Sequence, residues 1–316
     1  MDVWGAGVDE KSGGSRAALV DESHNRAGII MMIGAMLIFT LSDTIGKWLV
    51  ADYSVWQVVG VRSVAALILL GTILIRQRGS LRISFANRPG IQALRLGFVL
   101  VEVWASLWAF RYLPLADVFM FYAASPLFMT AFSAILLKEP VGIQRWSAVI
   151  AGLVGVIFVF PPTEAAVTFP ALVALTGSMS LALMLVLTRM LRSSDGLDLL
   201  VLQTLAVGIV GIASFGVAFT MPSTFDFGLM AAMGILATGG HFLMNKSVSV
   251  APSAVVAPFQ YTSIVWAIIM GYLIWADIPT AQALFGVAII IVAGLFVLYR
   301  EWRLGKKRKS LAHPPQ

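Results

Sequence analysis

Five side chains that carry charge, or can acquire it, stand inside long apolar stretches of the chain: Asp43, Lys47, Arg62, Glu102 and His241. A charged group is costly in such surroundings, so each one points to a function or to a dedicated partner. Asp43 and Lys47 are four residues apart with the acid first, which sets them on one helix face as a favourable pair. Two readings follow. The pair is a structural ion pair that Arg62 joins, or it is a charged lid that anchors the carboxylate and ammonium of an amino acid.

Glu102 precedes Ser106 by one helical turn, with Trp104 and Trp108 on a neighbouring face. It either serves a cavity, by holding a substrate amine or relaying a proton, or is satisfied by a structural hydrogen bond. His241 follows two glycines and stands four residues before Asn245, so both can face one side of a helix. A histidine can titrate near neutrality, and its alternative is a hydrogen bond between helices. Tyr122, Ser125 and Met129 share a face at helical spacing, and Gln260 and Ser263 occupy the matching places of a later segment. A mostly apolar wall with a few polar and aromatic groups suits a zwitterion with an apolar side chain, although such stripes also serve helix packing. Trp104, Trp108 and Trp266 could form an aromatic cage, or could sit at a membrane interface.

Catalytic patterns are missing. There is no HExxH, no GxSxG and no P-loop, and two of the three histidines, His24 and His313, lie near the chain ends. The absence of cysteine excludes disulfides, Cys-ligated zinc, iron–sulfur clusters and thiol nucleophiles. The expectation is a protein that is not an enzyme and holds no metal or cofactor.

The elements that must position these residues are helices in lipid. With 59% hydrophobic and 12% charged residues, the chain has more apolar surface than one soluble core can hide. Ten apolar segments run at 28–50, 55–75, 93–110, 115–137, 146–160, 169–191, 197–219, 227–247, 253–275 and 281–299. Turn chemistry separates them, as at Asn87-Arg88-Pro89-Gly90 and Met221-Pro222-Ser223. If the loops are assigned to alternating sides, 19 of the 22 Lys and Arg residues fall on one face, Arg95 among them as a loop residue. Basic loops stay in the cytoplasm, so both termini are placed there and the chain in a bacterial-type inner (plasma) membrane. The basic tail Lys306-Lys307-Arg308-Lys309 reads as a contact with lipid headgroups, not with nucleic acid.

A shift of 138 residues lays Pro114, Ala116, Val118, Phe121, Ser125 and Gln144 on Pro252, Ala254, Val256, Phe259, Ser263 and Gln282, and Glu139 on Asp277. At nearly the same offset Glu102 falls opposite His241. Five helices per half is an odd number, so the second half enters the membrane from the other side. Such inverted repeats recur in secondary transporters, with the substrate site between them. The fold class is therefore all-α integral membrane, and the lack of a repeated polar pore stripe argues against a channel. Ser147, Ala151 and Gly155, four apart, read as a helix-packing stripe.

Three stretches carry a resemblance to a known family. They are Ser42-Asp43-Thr44 with Lys47 and Arg62; Arg111-Tyr112-Leu113-Pro114-Leu115-Ala116 leading to Ser125-Pro126-Leu127-Phe128; and Lys138-Glu139-Pro140 ahead of Gly152-Leu153-Val154-Gly155. In these the chain resembles the EamA family of the drug/metabolite transporter superfamily, and its layout is similar to the YddG-type amino-acid exporters. The polar, mixed-charge residues 1–27 read as a disordered cytoplasmic N-tail and residues 301–316 as a basic cytoplasmic C-tail, and the resemblance implies two five-helix EamA repeats between them, at 28–161 and 162–300. It also implies alternating access by a monomer that exports aromatic and other neutral amino acids, with proton coupling open. The alternative is a carrier of another metabolite, S-adenosylmethionine, a nucleoside or a cofactor-like molecule, in either direction. The site residues expected to bind substrate are Asp43, Lys47, Glu102, Trp108, Tyr122, Ser125, His241, Asn245 and Gln260.

Overall fold

Lipid offers no hydrogen bonds to an exposed backbone, so a chain this apolar must satisfy its peptide groups within each segment. A computed structural model of the protein describes residues 9–78, 88–138, 142–159, 165–191, 194–216, 219–251 and 253–312, and every regular element among them is helical. The α-helices are α1 (Asp9–Leu49), α2 (Val55–Arg78), α3 (Pro89–Tyr112), α4 (Leu115–Tyr122), α5 (Ser125–Leu136) and α6 (Ile143–Val159) in the first half. The second half holds α7 (Ala165–Met190), α8 (Gly196–Ala213), α9 (Thr224–Val250), α10 (Ser253–Val256), α11 (Thr262–Trp275) and α12 (Ala281–Ala312).

Eight stretches of the described chain are long and apolar enough to cross a membrane, and the shorter apolar helices Trp146–Val159 and Ala281–Val297 bring the number of apolar segments to ten. The protein is an all-α membrane protein of two inverted five-helix halves. Helix α1 begins at Asp9, inside the stretch whose composition reads as a polar tail, and its apolar part starts at His24. Helix α3 begins at Pro89, where proline at the first turn loses no hydrogen bond. Arg95 consequently lies inside a helix and not, as the charge count assumes, in a loop.

Two spans are broken, and at corresponding places. The fourth is interrupted at Ala123 and Ala124 between α4 and α5, with Pro126 opening the new helix. The ninth passes through a 3-10 turn at Ala257–Tyr261, which contains Pro258, before α11 begins at Thr262. Under the 138-residue offset the first break falls on the end of the second. Interrupted helices at matching positions of two repeats are a pointer to a transporter's binding site.

The halves interlock. Helix α1 packs along α9 and α3 along α7, which are symmetry-related pairs, and α2·α8 and α6·α12 cross on the pseudo-axis. At the α6·α12 crossing the backbones nearly touch: a Cβ on Gly155 would lie 2.8 Å from the Gly286 carbonyl oxygen. Of the small-residue stripe on α6 only Gly155 is buried, while Ser147 and Ala151 are exposed; the packing face also carries Ala148 and Val156. One pair of contacts breaks the symmetry. Helix α2 lies close along α9, whereas its counterpart pair, α8 and α3, touches far less. The space left there is the cavity.

Candidate functional site

A cavity of about 470 Å³ lies between the halves, within the 300–1,000 Å³ range of ligand pockets. Asp43 from α1, Arg62 from α2, Glu102 from α3 and His241 from α9 line it, all half-buried. Arg62 acts electrostatically on the other three, yet makes no direct salt bridge with either carboxylate among the described residues. Charges that face a cavity without closing on one another remain available to a ligand.

The walls are shaped by fitted contacts. The Tyr122 hydroxyl donates to the Glu102 carbonyl at 3.4 Å and lies within reach of the Glu102 carboxyl and Ser106. Gly177 on α7 makes room for it, since a Cβ there would strike the Tyr122 hydroxyl. His241 meets the edge of Phe39 with ring centroids 4.9 Å apart, a T-shaped arrangement for which Gly240 leaves the space. Tyr122 and Gln260, which the repeat superposes, both line the cavity beside the two helix breaks.

Asp43, Glu102, Tyr122, His241 and Gln260 are thus brought together, while the other four expected residues lie elsewhere. Lys47 donates to the Phe110 and Leu113 carbonyls at 3.0 and 2.6 Å, capping the end of α3, and sits 5.2 Å from the Trp275 ring. It does not turn with Asp43 into the cavity. Trp108 stacks between Trp104 and Tyr112, with Phe169 edge-on at 5.5 Å, so its aromatic surface is already covered. Ser125 is 4% exposed in the core. Asn245 lines a second recess of about 310 Å³ toward the end of the molecule where the chain termini lie. Leu200 and Thr238 border both spaces, so the central cavity opens toward that end. Gln203 and Thr204 of α8 are lining residues that the sequence reading passed over. Their signal was available: they are polar residues side by side in a stretch, 199–213, that is otherwise apolar.

A family model, that of the EamA-like transporter family, matches residues 26–160 and again 168–300. The chain belongs to this family. Members similar to it include the S-adenosylmethionine uptake transporter of Rickettsia prowazekii (22% identical over 92% of this chain and 97% of the relative). The riboflavin transporter of Vibrio cholerae is 22% identical over 92% and 98%, and the pseudopaline exporter CntI of Pseudomonas aeruginosa is 26% identical over 85% and 94%. One solved crystal structure superposes with a TM-score of 0.62 at 14% identity, over 87% of this chain and 97% of that one, and shares the fold. This protein is accordingly an EamA-family transporter of small metabolites.

In this EamA-family chain the end opposite the termini is closed by polar contacts between the halves. Gln57 donates to the Thr220 carbonyl at 2.6 Å and accepts from the Thr220 amide at 3.0 Å. Tyr53 donates to the Asp226 carboxylate at 2.8 Å, and Ser223 does so at 2.7 Å while capping α9. The bond to Asp226 raises the pKa of the Tyr53 hydroxyl above its ordinary value of 10.0. The latch is therefore intact below that value and is lost as pH climbs through the raised one. Each bond is worth about 1 kcal/mol. Tyr53→Phe with Gln57→Leu removes three of these bonds and should shift the closed-to-open ratio toward open on the order of 100-fold. The natural chain has no cysteine, which makes the measurement clean. A cysteine at Val103 should react with an impermeant thiol reagent from the termini face only, and in the double variant from the far face as well.

Proposed function

We propose that the protein is a secondary transporter that moves amino acids with aromatic or other neutral side chains out of a bacterial cell by alternating access. The observation that carries this reading is Arg62 set between Asp43 and Glu102 in one cavity without a salt bridge to either. A guanidinium fork suits a carboxylate and a carboxylate suits an ammonium, so the trio matches both charged ends of an amino acid. Phe39 and Tyr122 supply aromatic wall for its side chain. His241 and Glu102 are the groups through which a proton could be coupled to the cycle. Lys47, by contrast, serves the closure of the far end, and the basic face supports cytoplasmic termini, so the cavity opens inward in this conformation.

One observation favours a second reading. A cavity of about 470 Å³ is roomy for a free amino acid, and the named relatives carry S-adenosylmethionine, riboflavin and pseudopaline. A larger metabolite with an amino-acid head would fill the same site. Counterflow in liposomes holding the purified protein tests both, with labelled phenylalanine, S-adenosylmethionine, riboflavin and a nucleoside, each with and without a pH gradient. Saturable exchange of phenylalanine is expected, with S-adenosylmethionine competing. Exchange of riboflavin or the nucleoside without either zwitterion would sink the proposal.

A further inference from the structure

Arg95 on α3 is 3% exposed and reaches across to the second half of the molecule. Its Nε donates to the Thr188 hydroxyl at 2.8 Å, one terminal nitrogen to the Leu199 carbonyl at 3.4 Å, and the other to the Gln203 amide oxygen at 2.6 Å. A guanidinium has five donors and no acceptor. The oxygen of the Gln203 amide must therefore face Arg95, because the flipped amide would set N–H against N–H. The amide nitrogen is left to point away, and Gln203 is half-buried on the cavity wall. It presents donors only, held by a charge-assisted bond.

The height of Gln203 in the cavity follows from the helix crossing. Helices α2 and α8 run antiparallel, with Gly60 against Gly211 and Ser63 against Gly208. In that register Gln203 stands level with about Ile68, roughly six residues or 9 Å nearer the termini end than Arg62. A free amino acid held at Arg62 does not span that distance.

We propose that Arg95 and Gln203 form a second recognition point in the cavity, a donor for an oxygen or ring-nitrogen acceptor at the distal end of an extended substrate whose carboxylate is held by Arg62. Gln203 contacts the substrate, and Arg95 is a positioning residue acting through it. The inference rests on reading this cavity as the transport site for an amino-acid head group, and it deepens the second form of that reading: a larger metabolite whose far end carries an acceptor. This assigns a specificity role to α8, the helix whose contact with α3 is loose.

The test is ligand binding by the purified full-length protein, followed by thermal shift and calorimetry, with phenylalanine and with 4-carboxyphenylalanine, which adds a second carboxylate at the far end of the ring. Wild type should bind the second about tenfold more tightly than the first. Gln203→Met should abolish that preference while leaving phenylalanine within twofold, and Gln203→Glu, which still accepts from Arg95, should reverse it by repulsion. Arg95→Lys should weaken 4-carboxyphenylalanine several-fold in the wild-type background and not at all in Gln203→Met. Equal affinities for both ligands in wild type and Gln203→Met overturn the proposal, and so does an equal loss of both. Failure of wild type to bind either ligand sinks the zwitterion reading itself.

Discussion

Arg62→Met should lower zwitterion transport at least 100-fold while the protein still inserts and elutes as a single species, and Arg62→Lys should recover only part of the loss. The residue lines the cavity with Asp43 and Glu102 as its electrostatic neighbours and forms no closed pair with them. Its removal takes away the group that would hold a substrate carboxylate and leaves two carboxylates facing each other across a poorly solvated space. Losing one partner from such a constellation costs about 3–5 kcal/mol, or roughly 10²–10⁴ in rate when the cost falls on the bound state. Lysine keeps the charge but not the planar fork. Because repulsion between the two acids could also weaken the fold, the decisive measurement is the double variant Arg62→Met with Glu102→Gln. It should melt near wild type and remain inactive. Glu102→Gln or His241→Ala alone should likewise impair transport more than folding. Flux at wild-type rates in Arg62→Met would remove Arg62 from the substrate path.

The charged groups were legible in the sequence because charge in an apolar span is conspicuous, but their directions were not. Asp43 and Lys47 do share a helix face in projection, yet one turn of rise carries Lys47 from the level of the cavity to the closed end, where the α3 carbonyls are the nearest acceptors. Spacing gives an angle around a helix and says nothing of what its neighbours offer at each height. Arg95 was hidden for a related reason. It follows Arg88 and Arg82 in a basic stretch, and only the packing of α7 and α8 beside α3 shows that it is buried. The latch residue Gln57 is a lone uncharged amide and disturbs hydropathy too little to be noticed, whereas Gln203 stands beside Thr204 and leaves a visible polar mark in its span. Trp108 illustrates the opposite error: a conspicuous residue whose stacking partners sit at i−4 and i+4 and on α7, all turned away from the cavity.

The ten spans and the inverted repeat followed from hydropathy and from an odd number of helices per half. The paired breaks in the fourth and ninth spans did not. A proline within an apolar run can kink a helix, interrupt it or sit harmlessly in its first turn, and Pro126, Pro258 and Pro170 illustrate the ambiguity: the first opens α5, the second lies in a 3-10 turn and the third is inside continuous α7. Matching the two halves residue by residue is what links the breaks. It places Tyr122 over Gln260 and Glu102 over His241, four residues that all reach the one cavity.

Glycines on α9 offer the sharpest contrast in expected stability. A Cβ at Gly234 would collide with the Arg62 carbonyl and crowd the Ala66 amide. Backbone cannot step aside as a side chain can, so Gly234→Ala must push α2 and α9 apart at the level where α2 presents Arg62. We expect a loss of about 3 kcal/mol or more, seen as a large fall in melting temperature or as failure to yield monodisperse protein. Gly239, five residues on in the same helix, has nothing within 4 Å of the added carbon. There alanine relieves only the conformational freedom of glycine, and Gly239→Ala should stabilise by about 0.5–1 kcal/mol. The opposite signs separate helix propensity from packing. Should both variants stabilise, the close α2·α9 seam does not exist in the folded protein, and the asymmetry that leaves the cavity open between α3 and α8 would lose its cause. If Gly234→Ala instead folds normally but transports poorly, the seam is a moving contact rather than a fixed one, and the cost of parting α2 from α9 is borne in the cycle.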